Sequence, residues 1–197
     1  MARLDSGWMR LLADARTAVL ATIGPDGRPR LVPICFVVAG EGPDRGRSDR
    51  GASDRGWPIL YTPLDEKPKR ATDPHALGRV RDILAQPDVT LLVDRWDEDW
   101  SKLAWLRLHG RAELLEPAAA GSVAMGSAAV DSADGRAAAD SADGRAAAIA
   151  ALRAKYRQYA DHDLESRPLI RIAVTRWTSW GLAGPLSNLA PDHRAGA

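Results

Sequence analysis

Residues 61–70 read YTPLDEKPKR and gather three cations, Lys67, Lys69 and Arg70, around Pro68. Proline lacks an amide hydrogen and drives the residue before it away from helical angles, so Lys67 is expected in an extended conformation. In an extended segment side chains two apart point the same way, which sets Lys67 and Lys69 on one side about 6–7 Å apart. Two ammonium groups that close repel, and a shared dianion such as a phosphate relieves the cost. Asp65 and Glu66 offer the other answer, in which the cations are neutralised at a solvated surface. On these residues alone both readings stand.

Other chemistry is thinner. WDEDW, residues 96–100, sets three carboxylates between two tryptophans. A paired-carboxylate acid–base site is one reading; a solvated turn or helix start is the commoner fate of such a run. The four histidines, His75, His109, His162 and His193, have no metal-ligand spacing, so no metal site is expected. Neither common glycine-rich nucleotide motif occurs, and no nucleophile stands with a base and an orienting group. His109 and Tyr61 qualify as proton donors by residue type alone, and no catalytic residue is assigned. An enzyme built this way would take its hard chemistry from a bound cofactor.

Composition narrows the classes. The 197-residue chain carries 27 basic and 26 acidic residues, a formal charge of +1, which argues against a nucleic-acid footprint. Cys35, the single cysteine, lies among Ile34, Phe36, Val37 and Val38 and reads as a reduced core residue. The N-terminal stretch lacks the apolar run of a signal peptide, and no window is long enough to span a bilayer. A soluble cytoplasmic protein without membrane contact is expected.

The elements that must hold these residues follow in order. Leu4, Trp8, Leu11 and Leu12 have helical spacing. Residues 16–23 form a strand, Gly24-Pro25-Asp26-Gly27 a turn, and residues 30–39 the return strand. Pro33 within that strand implies an edge, a bulge, or backbone facing something other than a neighbouring strand. A third strand covers 57–62. Asp73-Pro74 caps a helix whose stripe is Leu77, Val80, Ile83 and Leu84, ending before Pro87. Residues 89–93 read as a buried strand. From 102 to 115, Leu106, Leu108, Gly110, Ala112 and Leu114 alternate with Arg107, His109, Arg111 and Glu113, the mark of a half-buried strand. A helix through 149–159 and a sixth strand at 169–174 close the chain. Six strands with few helices predict a mainly β (α+β) fold, a small six-stranded antiparallel barrel with peripheral helices.

Two segments stand apart. Residues 40–56 repeat Asp-Arg-Gly three times, and residues 131–139 recur unchanged as 140–148. Alanine is the only apolar residue in the second repeat, so the expectation is a flexible tip and a loop or loose alanine-rich helix. One domain over 1–180 results, with low-complexity insertions at 40–56 and 121–148 and a disordered tail at 181–197.

The succession of strand, GPDGRP turn, RLVPI strand, LYT strand, DEKPKR, helix and VTLLVD strand resembles the pyridoxamine-phosphate-oxidase-like split barrels that bind flavins. More narrowly, DEKPKR with VDRWDEDWSKLAWLRLHGRAELL and VTRWTSW resembles an actinobacterial branch of oxidoreductases dependent on the deazaflavin coenzyme F420. The likeness spans roughly residues 11–180 outside both repeats. It implies that Arg30, Leu31, Val32 and Pro33 run along the cofactor ring, that Tyr61 and Thr62 mark the strand end, and that Lys67 and Lys69, with Arg70, hold the phosphate. Five of seven tryptophans (Trp96, Trp100, Trp105, Trp177 and Trp180) lie in the branch-specific segments. Most are expected in the core or a dimer interface, with Trp96 or Trp100 beside the cofactor. The resemblance further implies a homodimer with interfacial sites, a small organic substrate, and hydride transfer with F420. FMN on the same fold is the alternative, and a carrier without turnover is a third reading.

Overall fold

Asp5 opens the first helix, its carboxylate accepting from the amides of Gly7 at 2.9 Å and Trp8 at 3.1 Å. The helix, α1, spans Ser6–Asp14 and buries Trp8, Leu11 and Leu12, while Leu4 packs half-buried just ahead of it. The computed structural model of the protein describes residues 4–41, 57–65, 73–117 and 133–181. The Asp-Arg-Gly repeats, Lys67, Lys69, Arg70 and the tail after Gly181 lie outside the described residues.

Strands β1 (Ala18–Ile23) and β2 (Pro29–Ile34) form the expected hairpin. Gly27 turns it with φ 74°, a conformation glycine adopts without strain, and its amide donates to Gly24 O at 2.9 Å. The expected single strand over 30–39 is in fact two. The chain breaks at Cys35 and Phe36 and resumes as β3 (Val37–Glu41), which pairs with β4 (Pro58–Pro63). After α2 (Gly78–Ala85) come β5 (Asp88–Arg95), β6 (Ala104–Leu115), the helix α3 (Ala133–Lys155) and β7 (Leu169–Trp180).

The described residues therefore hold seven strands rather than six, ordered β2-β1-β5-β6-β7-β4-β3, with every pairing antiparallel. β2 and β3 are the two edges of this sheet, yet only Cys35 and Phe36 separate them. A chain reaches about 3.3–3.6 Å per residue, so the sheet must curl until its edges nearly meet at that corner. They meet without pairing, which makes a barrel split along one seam. Tyr156 pins the corner. Its hydroxyl accepts from Phe36 N at 3.0 Å and lies 2.8 Å from Phe36 O and 3.0 Å from Arg16 O, the two acceptors for its proton. Pro33 is placed accordingly on an edge strand, where a missing amide breaks no ladder.

Alternation divides the sheet into two faces. The inner face buries Leu20, Leu91, Val93, Leu106, Leu108 and Ile172 together with residues of α1 and α2. On the outer face a second cluster joins Val37, Ile59 and Tyr61 to Ala148, Ile149 and Leu152 of α3 and to Tyr156 just past its end.

The second repeat proves to be structural. α3 runs through it, and Arg145, which the repeat supplies, is buried. Its guanidinium donates to the carbonyls of Leu115 (3.2 Å), Leu164 (3.0 Å), Glu165 (2.8 Å) and Arg167 (2.7 Å). Counting apolar content alone missed this anchor, because a charged side chain supplies it. The expected helix end also moves: α3 stops at Lys155 and a 3-10 turn covers Arg157–Tyr159.

β6 and β7 carry one irregularity. Their register passes from His109 opposite Arg176 to Gly110 opposite Val174, leaving Thr175 as an extra residue. A Cβ on Gly110 would sit 2.6 Å from Ala173 O, so glycine is what lets the strands close there. Among the described residues no helix is long and apolar enough to cross a membrane.

Candidate functional site

β2 reaches the site as an edge strand, with one side of its backbone paired to β1 and the other side outside the ladder. Arg30 faces inward from it and is held in place. Its Nε donates to Asp82 Oδ2 at 2.8 Å, and Thr22 Oγ1 on β1 donates to the same oxygen at 2.8 Å. Asp82 is 2% exposed, so this carboxylate is a buried fixed charge on α2. The Arg30 guanidinium lies over Gly78, where a Cβ would stand 2.8 Å from Arg30 Cζ. The first turn of α2 thus touches the β2 edge.

The chain leaving β4 is anchored by other partners, and α2 reaches it through Arg79. Leu64 donates its amide to Pro168 O at 3.2 Å, and the buried carboxylate of Asp65 accepts from Tyr159 OH at 3.0 Å. Burial pushes the Tyr159 hydroxyl well above its ordinary pKa, and the neighbouring Cys35 and Asp65 add to the effect. Burial lowers the Arg79 guanidinium, against the pull of Asp65 and Tyr159. Its Nε is a buried donor with no hydrogen-bond partner among the described residues. The chain is fixed again at Asp73, whose side chain accepts from His75 N at 2.9 Å. Asp65 and Asp73, the described residues on either side of the basic segment in sequence, are therefore both anchored.

The other expected residues scatter. Leu31, 64% exposed, and Pro33 face outward, while Val32 turns inward against the core. Tyr61 is buried under α3, its hydroxyl so near Gly144 that a Cβ there would lie 2.6 Å away; Thr62 is buried as well. Packing accounts for both side chains and leaves their backbone at the strand end. Trp96 and Trp100 are 71% and 77% exposed on the β5–β6 connection. That connection lies at the Trp105–Trp180 end of the β6–β7 ladder, whereas Tyr61 and Thr62 pair with Arg171 and Ile170 near its other end. The structure does not bring these two pairs together.

The WDEDW carboxylates serve the turn. Asp97 accepts from Asp99 N at 2.8 Å, and Asp99 accepts from Ser101 N at 3.0 Å and Ser101 Oγ at 2.7 Å. Those Ser101 bonds hold Asp99 below the usual carboxylate range. Sequence reasoning missed Thr22, Gly78, Arg79 and Asp82. An aspartate on the inward side of an amphipathic helix, beside Val80 and Ile83, was the available signal. Among the described residues no group of three or more metal-ligating side chains occurs.

A family model described as pyridoxamine 5'-phosphate oxidase matches residues 5–181. The chain belongs to that family. Solved structures share the fold. A conserved hypothetical protein, Rv2991 from Mycobacterium tuberculosis, is 17% identical with a TM-score of 0.55, over 92% of this chain and 86% of its own. HutZ, a heme storage protein from Vibrio cholerae, is 14% identical with a TM-score of 0.51, over 94% and 99%. A 5-nitroimidazole antibiotic resistance protein from Bacteroides thetaiotaomicron, so assigned provisionally, is 10% identical with a TM-score of 0.51, over 91% and 85%. No curated protein matches the chain. For a member of the pyridoxamine 5'-phosphate oxidase family, the β2 edge, α2 and the β4 end form one neighbourhood. The orphan Arg79 Nε and the unpaired side of β2 make that neighbourhood fit an anionic, ring-bearing cofactor.

Proposed function

We propose that this chain is an oxidoreductase that binds a flavin-type cofactor, coenzyme F420 first and FMN second, and acts on a small organic substrate. The observation that carries the reading is α2, which grips Arg30 on the β2 edge through Asp82 and carries Arg79 beside Asp65. Lys67 and Lys69, with Arg70, hold the phosphate in this reading, and Arg79 adds a donor from the helix. Arg30, Leu31, Val32 and Pro33 offer the backbone of an edge strand to the ring, and at the β4 end Thr62 offers main chain, Tyr61 being paired to Val37 on one side and Arg171 on the other. Hydride chemistry belongs to the bound group; the chain binds it, orients it and excludes water.

The outer face of β2, β1 and β5 supports a homodimer. Leu31, Ile23 and Leu92 are exposed there, and Trp96 and Trp100 are exposed beyond the far end of β5 from Ile23. A second copy seated on this surface would remove it from water and enclose the β2 edge. Trp96 or Trp100 would then reach a cofactor across the interface.

Titration of the purified protein with F420 and with FMN, read by fluorescence or visible absorbance, tests the reading. Saturable F420 binding at low micromolar concentration is expected. Tight FMN binding without F420 affinity would replace the first cofactor by the second. Binding of neither would remove the oxidoreductase reading altogether.

A further inference from the structure

The outer face of β6 and β7 carries cations that the cofactor reading does not use. His109 on β6 stands directly opposite Arg176 on β7, and Arg107, two residues along β6, stands opposite Thr178. Directly opposed residues have Cβ atoms about 5 Å apart, and residues two along a strand about 7 Å, so three basic groups rise from one small patch. Like charges at such positions destabilise a sheet.

The bulge at Thr175 creates this arrangement. Along β7, Arg171 and Ala173 face outward, opposite Glu113 and Arg111. Unbroken alternation would put Thr175 outward next and turn Arg176 into the barrel. The extra residue shifts the phase, so Arg176, Thr178 and Trp180 face outward instead. Thr175 Oγ1 donates to His109 O at 3.2 Å and fixes the bulge beside the histidine.

Neighbouring arginines on the same face are neutralised. Arg111 pairs with Asp88 at 3.6 Å and Arg171 with Glu113 at 2.6 Å. Among the described residues no acidic side chain pairs with Arg107 or Arg176. Arg107 is nonetheless oriented, with Nε donating to Thr178 Oγ1 at 3.2 Å and Cζ 5.6 Å from the Trp105 ring centre. Thr90 Oγ1 on β5 engages His109 Nδ1 at 3.1 Å, leaving Nε2 for another partner.

We propose that Arg107, His109 and Arg176 form an anion-binding site on the outer face of the sheet, for a group with two negative charges such as a phosphate monoester or paired carboxylates. A bound dianion offsets the repulsion among the three and draws on charge-assisted bonds from two guanidinium groups. On the β5 side of Arg107 the surface becomes apolar at Leu92 and Val19, which suits a ligand whose anionic group is attached to an apolar body.

The groups facing His109 are Thr90 and Asp88 on β5, Arg107 and Arg111 on β6, and Arg176 on β7. Burial lowers its pKa, and Arg176 and Arg107 lower it further. A bound anion reverses the last two effects. The His109 ring resonances are followed by NMR while inorganic phosphate or citrate is added to the intact protein, with His109→Gln giving the assignment. Sodium chloride at matched ionic strength is the control. A saturable shift with a raised His109 pKa is expected, and the tighter of the two probes distinguishes phosphate from carboxylate chemistry. Arg176→Gln and Arg107→Gln should each weaken binding more than tenfold, while Arg111→Gln, removing an arginine already paired with Asp88, should change it less than threefold. The proposal fails if sodium chloride reproduces the shift or Arg176→Gln leaves it intact. It also fails if sedimentation shows the probes merely dissociating a dimer in which the acidic 97–99 turn of a second copy covers the patch.

Discussion

One outer face of one sheet is finished in two different ways. Over β3 and β4, α3 lies on Val37, Ile59 and Tyr61, and the polar groups drawn in with it are satisfied, with four carbonyls on Arg145 and the Phe36 amide on Tyr156. Over β2, β1 and β5 the same alternation delivers Leu31, Ile23 and Leu92 to an exposed surface, bordered by Arg107 and Arg176, with which no acid among the described residues pairs. β1 and β2 present apolar side chains outward much as β3 and β4 do, while β5 mixes Leu92 with Asp88, Thr90 and Asp94. What differs is whether the chain supplies its own cover. Stability is concentrated where it does, and binding surface is left where it does not.

The covered half can be broken most sharply at Arg145. Arg145→Met removes the donor to all four carbonyls, of which the bond to Leu164 O is fully buried and the others partly so. The expected loss is about 3 kcal/mol or more, read as a lower urea midpoint with an unchanged slope. Arg153, whose bonds to Glu165 of 2.5 and 2.8 Å lie at the surface, is the contrast. Arg153→Met should barely move the midpoint. Equal losses in both variants would mean that the helix is held by its apolar stripe alone.

On the open half the corresponding experiment reads affinity, not stability. Lys67→Ala combined with Lys69→Ala should weaken cofactor binding by well over tenfold, because charge-assisted contacts contribute about 1.5–3 kcal/mol each. The urea midpoint should stay near the parent value. Unchanged affinity would return the segment to a solvated loop neutralised by Asp65 and Glu66.

How much of this was legible beforehand depends on whether the signal was local. The hairpin at Gly24–Gly27, the edge position of Pro33 and the alternation of β6 follow from neighbours in sequence, and the structure shows them. Asp73 does cap, but it caps a short 3-10 turn over Pro74–Ala76, and α2 starts separately at Gly78 without a side-chain cap. The split between β2 and β3 was not legible, because residues 34–38 are apolar or cysteine throughout and no turn residue marks the corner. It is set by Tyr156, 120 positions from Phe36. The hold on Arg30 comes from Asp82, 52 positions away. Arg145 hid within a duplicated alanine-rich unit whose composition suggested a loose segment. The bulge at Thr175 was equally silent, since a one-residue phase shift shows only once β6 is in register beside it.

The corner itself separates the two halves and can be loosened. Tyr156→Phe keeps the ring and removes the hydroxyl that serves Phe36 and Arg16. A loss of about 1–2 kcal/mol is expected, with amide exchange accelerated first at Phe36 and Val37. A uniform rise in exchange across the sheet would show that the corner is no weaker than the barrel as a whole.

Lys155 tests the same boundary by pH. Its ammonium is half-buried, with Nζ 3.3 Å from Leu12 O and 4.4 Å from the Phe36 ring centre. Burial first, then the Arg16 charge, lowers its pKa from 10.5 to about 8. A lowered lysine pKa means that the unfolded chain holds the proton more tightly. Between pH 8 and 10.5 the unfolded state is protonated where the folded state is not, so stability from this group rises with pH across that window. Lys155→Met should abolish the rise. It should also stabilise the protein near pH 7 by less than about 1 kcal/mol, since a half-exposed charge is well screened. The ring contact with Phe36 acts in the opposite sense by favouring the charged form. Comparing urea midpoints of parent and variant at pH 7 and pH 10 isolates the balance. A variant that loses stability at pH 7 would show that the ring contact outweighs burial, and that Lys155 fastens α3 to the corner as Arg145 fastens it to the chain after β6.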